Sequence, residues 1–145
     1  MPFCHNGSLR IHYEVFGEST DPTLLLVNGL GSQSISFRDE MCLEFASRGF
    51  RVVRYDNRDV GLSDDGPAGY TLRDMADDGF AVLDAIGADR AHVWGTSLGG
   101  MIVQTMAIER PERLLSVTSV MSTTGDSDVG HPSAEGKGLL LTPGS

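Results

Sequence analysis

The sequence predicts an α/β protein whose mostly parallel sheet opens with a β-hairpin and carries helices on both faces. Three observations point there. Four short, mostly apolar runs recur along the 145 residues, the form taken by strands covered on both sides. Stretches of helical apolar spacing separate them, and a strand-helix-strand alternation builds a right-handed parallel sheet. The first segment differs: it alternates apolar and polar side chains after an Asn-Gly pair, the pattern of a half-exposed hairpin.

Taken in order, residues 3–5 and 8–16 flank Asn6-Gly7, whose tolerance of positive φ suits a type I′ turn. Leu9, Ile11, Tyr13 and Val15 give the second strand its apolar face. Residues 24–27, Leu-Leu-Leu-Val, read as a buried strand. Residues 37–47 then place Phe37, Met41, Phe45 and Ala46 on one helical face, and Gly49 follows as a stop. Val52-Val53 centre the next strand, residues 50–55. Thr71 begins a Thr-x-x-Asp capping pattern with Asp74; Leu72, Met75, Ala76, Phe80, Leu83 and Ile86 follow, and Gly87 closes the helix. Residues 91–95 are a strand, 98–109 a helix ended before Pro111, and 114–121 a last apolar strand.

Beyond Met121 the character changes. Residues 122–138 are rich in Ser, Thr, Gly, Asp and Pro, and Leu139-Leu140-Leu141 starts a further apolar run. The expected organisation is the N-terminal portion of a core domain over residues 1–121, with an incomplete loop segment over 122–145.

Eleven Lys and Arg stand against 20 Asp and Glu, a net charge of −9, which argues against nucleic acid or an anionic membrane as partner. Residues 55–89 concentrate this acidity, with Asp56, Asp59, Asp64, Asp65, Asp74, Asp77, Asp78, Asp84 and Asp89 against Arg58 and Arg73. A solvated loop and helix face accounts for them, and a field favouring cationic substrates is the sharper alternative. Cys4 and Cys42 are too few for a disulfide framework and wrongly spaced for zinc, so no metal is expected. Met1-Pro2-Phe3-Cys4-His5 shows neither the basic nor the apolar region of a leader, and a soluble, cytoplasmic protein is expected.

Gly95-Thr96-Ser97-Leu98-Gly99 fits G-x-S-x-G, a turn in which glycines relieve crowding around a serine held in a strained conformation. In a glycine-rich chain the pattern alone is weak, and a glycine-rich turn with an incidental serine is the plain alternative. Context strengthens it: a strand must lead in and a helix lead out, and residues 91–94 and 100–103 read as both. Ser97 is then the candidate nucleophile and the Leu98 N–H one oxyanion donor. A second donor must come from the loop after a neighbouring strand, and Asn28-Gly29-Leu30-Gly31 stands there, which assigns the Leu30 N–H. Asn28, Gly29, Trp94 and Met101 are candidate pocket residues, though packing is the favoured account of Trp94 and Met101 and their place beside the turn is what makes them pocket candidates.

These segments, with Arg54-Tyr55-Asp56-Asn57-Arg58-Asp59-Val60-Gly61-Leu62-Ser63 and Arg110-Pro111-Glu112-Arg113, resemble the N-terminal part of an α/β-hydrolase-fold enzyme over about residues 8–124. Within that fold the chain is similar to the aclacinomycin methylesterase type. The resemblance implies cofactor-free Ser-His-Asp chemistry on carboxylic esters through an acyl-enzyme, and matches Ser97, Leu98 and Leu30 to the nucleophile and the two oxyanion donors. Many members carry His-Gly where this chain has Asn28-Gly29. The family's acid and histidine follow later strands, in the order Ser, Asp, His, so the triad is incomplete here and residues 122–145 lead toward a cap or lid.

Asp126, Asp128 and His131 have the order of a compact triad but share one glycine-rich segment that fixes none of them. His5, His12 and His92 read as strand or surface residues, and Asp56, Asp59 and Asp64 as ion-pair partners of Arg54 or Arg58. Without later strands, residues 114–121 would be a bare apolar edge. The expectation is a serine hydrolase for a small ester-like substrate, completed by a second polypeptide that carries Asp, His and cap. A non-catalytic half-fold binding subunit, or a fragment inactive alone, is the alternative.

Overall fold

The computed structural model describes residues 2–130 and 132–141. Strands β1 (Phe3–Asn6) and β2 (Leu9–Phe16) form an antiparallel hairpin, paired Asn6 to Leu9. The turn is therefore Gly7-Ser8, one residue later than expected, and of its residues only Gly7 has a positive φ, 60°. That is the signature of a II′ turn, with glycine first, rather than the I′ turn read from Asn-Gly. Asn6 is left free to donate from Nδ2 to Asp78 at 2.8 Å.

The remaining elements are β3 (Thr23–Val27), α1 (Asp39–Ser47), β4 (Arg51–Tyr55), α2 (Leu72–Ala85), β5 (Ala91–Thr96), α3 (Leu98–Glu109), β6 (Leu114–Val120) and α4 (Ala134–Leu141). A 3-10 turn at Ser34–Ser36 precedes α1, so Phe37 lies before the helix rather than in it. At the start of α2 the Thr71 hydroxyl accepts from the Asp74 N–H, and the Asp74 carboxylate accepts from the Thr71 N–H, the reciprocal cap read from the sequence. The loop segment after β6 contains α4.

One six-stranded sheet has the order β1-β2-β4-β3-β5-β6, antiparallel at β1-β2 and β2-β4 and parallel thereafter. Successive side chains of β3 divide the core. Leu25 and Val27 join Ile11, Val53, Val93, Phe80, Leu83, Ile102 and Met106 beneath α2 and α3. Leu24 and Leu26 join Val52, Phe37 and Cys42 beneath α1. Alternation on a strand buried throughout thus puts helices on both faces, each such side chain contributing about 1.5–3 kcal/mol.

β6 is an edge strand, and among the described residues nothing pairs with its outer side. Leu115, Val117 and Val120 are 42%, 40% and 37% exposed there, the apolar edge the sequence led one to expect. Its register with β5 slips between Ala91 and His92, leaving Leu115 as the extra residue.

The acidic stretch is largely paired, though not with the expected cations. Arg54 stands directly across from Glu14 in the β2-β4 register and bonds it and Asp39. Arg58, past the end of β4, reaches α2 and bonds Asp78. Asp56 instead meets His12 at 3.1 Å, Asp64 meets Arg10 at 2.9 Å, and Asp59 accepts from Tyr70 Oη at 2.6 Å and the Gly66 N–H. Asp77 and Asp84 bond Arg110 and Arg113. These contacts occupy most of the acidic side chains, with Asp56 and Asp78 buried rather than on the solvated face the sequence suggested.

Candidate active site

β5 ends and α3 begins at Ser97, with one residue making the turn. Its φ of 56° and ψ of −119° lie where side chains are crowded; such a residue costs on the order of 1–3 kcal/mol and persists only where its surroundings hold it. Here they do. The Ser97 N–H donates to the Val120 carbonyl at 2.9 Å, and its carbonyl accepts from Ser122 Oγ at 2.7 Å. Gly95 and Gly99 permit the turn because a Cβ on Gly95 would strike the Gly99 carbonyl, and one on Gly99 the Val27 and Asn28 carbonyls. Both glycines of the motif are thus fixed by backbone contact.

The loop after β3 lies beside this turn. A Cβ on Gly29 would sit 3.3 Å from Ser97 Cβ, so glycine lets the loop come close. Asn28 Nδ2 donates to the Gln33 carbonyl at 2.8 Å, and the Ser32 N–H to the Gly29 carbonyl at 3.3 Å. Asp56 Oδ1 takes the Ser34 N–H at 2.6 Å, and Oδ2 takes the Leu62 N–H at 3.0 Å. Burial would raise the Asp56 carboxyl, but these N–H groups and His12 outweigh it and hold it below its ordinary range.

A mainly apolar cavity of about 500 Å³ opens over Ser97, walled by Leu30, Leu98, Met101, Met121, Thr123 and Pro132. A second cavity of about 260 Å³ lies across Leu30, bounded by Gly29, Asn57, Arg58, Asp59, Tyr70 and Met75. Leu30, Leu98 and Met101 therefore border one cavity with Ser97, and Leu30 is 85% exposed. Asn28 is buried behind the loop and borders neither cavity.

Trp94 borders neither of these cavities. It belongs to the alternate set on β5 and turns beneath α1, its ring 6.4 Å from Phe37 and 5.7 Å from Phe45. Met121, Ser122, Thr123 and Pro132 were missed as cavity residues. Their signal was positional: in open α/β sheets ligands bind beyond the carboxyl ends of the parallel strands, and these residues follow β6.

No histidine among the described residues borders the cavity. His12 is buried against Asp56, and His92 Nδ1 meets Ser116 Oγ at 2.8 Å. Asp126 and Asp128 lie in an exposed turn, and His131 falls outside the described residues. Among the described residues no three His, Cys, Asp or Glu side chains cluster as metal ligands, and no helix is long and apolar enough to cross a membrane.

Residues 22–144 match the alpha/beta hydrolase fold family. Rhodomycin D methylesterase of Streptomyces sp. (strain C5) is 40% identical over 118 residues, covering 79% of this chain and 40% of its own length. The enol-lactonase of Burkholderia xenovorans LB400 superposes with a TM-score of 0.77 at 27% identity, over 83% of this chain and 46% of that one. Est816, described as an N-acyl homoserine lactone degrading enzyme, gives 0.79 at 30% identity, over 97% of this chain and 52% of its own. The chain thus spans about half or less of the length of these relatives. With its strand order, its elbow and this match in agreement, the chain belongs to the α/β hydrolase fold family.

Proposed function

We propose that these residues form the nucleophile-bearing part of a serine hydrolase that cleaves a carboxylic ester or related small acyl compound. The observation that carries this reading is the strained backbone of Ser97 at the β5-α3 junction, beneath a cavity shared with Leu30 and Leu98. Strain at a solvent-facing serine, maintained by two glycines that can carry no side chain, points to function rather than stability. The names of the similar proteins, a methylesterase and two lactone-active enzymes, support a carbonyl carbon bearing an oxygen leaving group.

In this reading Ser97 Oγ attacks the ester carbonyl while a histidine takes its proton. The N–H groups of Leu30 and Leu98 receive the oxygen as it becomes negative, and the positive end of α3 begins at the same point. The histidine returns the proton to the departing alcohol, leaving an acyl group on Ser97. Water, activated by the same histidine, then releases the acid. No cofactor enters. The histidine and its acid are assigned to a second polypeptide that pairs with the open edge of β6 and supplies the cap.

A fluorophosphonate probe tests the assignment: it should label the active protein at Ser97, and labelling should vanish in Ser97→Ala. Labelling that survives the substitution refutes it. Mass analysis of the native material should show the second chain; a folded, monomeric species of this chain alone would exclude it. The alternative reading is a non-catalytic half-fold binding subunit. It predicts no turnover of a nitrophenyl ester panel even in the assembled protein.

A further inference from the structure

Resting on the reading of Leu30 as an oxyanion donor, we infer that Asn57 is a positioning residue for that donor, acting through the Asn28 carbonyl. Asn57 follows the end of β4 and is 2% exposed. Its Nδ2 donates to the Asn28 carbonyl at 3.1 Å. That carbonyl belongs to the first residue beyond β3, where pairing with β4 and β5 has stopped. Asn28 is itself 5% exposed and Gly99 is packed against its carbonyl, so Asn57 is the donor on which this oxygen depends.

Without that amide, the Asn28 oxygen becomes a buried acceptor with no side-chain donor among the described residues. Rotation of the peptide between Asn28 and Gly29 is the easiest relief, because glycine tolerates backbone angles other residues do not. The rotation redirects the chain as it enters Leu30 and carries the Leu30 N–H away from Ser97. The other ties in this region act further along: Asn28 Nδ2 holds Gln33, the Gly29 carbonyl holds Ser32, and Asp56 holds Ser34. They tie the start of the loop to its own return, while Asn57 ties the Asn28 carbonyl to the end of β4.

The other end of the amide points the same way. Asn57 Oδ1 is buried and has no partner among the described residues. An amide that leaves its oxygen unsatisfied is a poor choice for stability alone. Its single bond, to the Asn28 carbonyl, is the feature that accounts for it.

Asn57→Ala and Asn57→Asp in the protein isolated with whatever completes its fold test this, with p-nitrophenyl acetate as probe. Both should lower kcat by about 10- to 100-fold, the scale of weakening one oxyanion donor, with KM changed by less than about twofold. Asn57→Asp carries a further signature. Its carboxylate cannot donate to the Asn28 carbonyl, but its protonated form can, so its kcat relative to wild type should rise as pH falls. The same ratio for Asn57→Ala should stay flat; Arg58, Asp59 and Tyr70, which border the same cavity, are present in all three proteins and cancel.

Amide hydrogen exchange read over residues 29–32 should quicken in Asn57→Ala, a result independent of turnover. Normal kcat in both variants, or equal and pH-independent losses matched by a fall in Tm, would overturn the proposal. Turnover surviving Ser97→Ala would instead count against the nucleophile assignment, with hydrogen exchange still judging the tether.

Discussion

Asp78→Ala takes the anion away from a buried guanidinium. Arg58 and Asp78 are 5% and 1% exposed and joined twice, Nε to Oδ2 at 2.7 Å and Nη2 to Oδ1 at 2.9 Å. Asn6 adds a third bond to the same carboxylate, tying the hairpin to α2. After truncation Arg58 retains the Asp74 carbonyl at 3.0 Å, the face of Tyr70 and the more distant charges of Asp59 and Asp74, but no hydrogen-bonded carboxylate among the described residues. Removing one partner of a buried pair costs about 3–5 kcal/mol, because the other charge stays behind. With a urea slope of about 2 kcal/mol per molar, the unfolding midpoint should fall by roughly 2 M. Arg58→Met/Asp78→Ala, which removes both charges, should lose less than the two single changes together, with a coupling of about 1–3 kcal/mol. A loss below about 1 kcal/mol for Asp78→Ala, the scale of an exposed pair, or strict additivity in the cycle, would refute the reasoning.

Asp56 sits below its ordinary pKa of 3.8 in the fold, so its contribution is present above that value and is lost as pH falls through the lower, folded one. The Tm of the wild type should therefore drop more steeply than that of Asp56→Asn between about pH 4 and about pH 2. Thr71→Ala removes the acceptor for the Asp74 N–H and should cost about 1 kcal/mol in chemical denaturation, with Thr71→Ser close to wild type. Burial, reinforced by Asp78, pushes the Cys4 thiol up to about 11. Cys4 should stay unmodified by a disulfide reagent at about pH 8 until denaturant is added; rapid reaction in the native protein would contradict its burial.

Much of the framework could be read from the chain because local and long-range preferences agree. Leu24-Leu25-Leu26-Val27 has no polar side chain for either face, and both faces are covered. Thr71 and Asp74 cap α2 because their three-residue spacing lets each side chain meet the other's N–H. What escaped depended on neighbours distant in sequence. Asn6 and Gly7 could each open a turn, and the pairing of Asn6 with Leu9 chose between them. The partners of Arg54 and Arg58 were set by strand register and by α2, neither visible in a run of charges. Trp94 stands three residues before Ser97, yet strand alternation sends it beneath α1. At the candidate site, the turns that carry Ser97, Leu98 and Leu30 were legible; the bond from Asn57 to the Asn28 carbonyl was not, since it forms only when the end of β4 lies beside the end of β3.

The place of β3 also bears on the order in which the molecule can assemble. Thr23 faces Arg51 on one side and Ala91 on the other, so this central strand waits for two segments made much later in the chain. The hairpin of β1 and β2 closes locally, whereas each pairing of β3 must first bring distant segments together against chain entropy. The loop over Ser97 hangs from that strand. The scaffold of the hairpin can form early, while the cradle around the serine takes shape only once the middle of the sheet has closed.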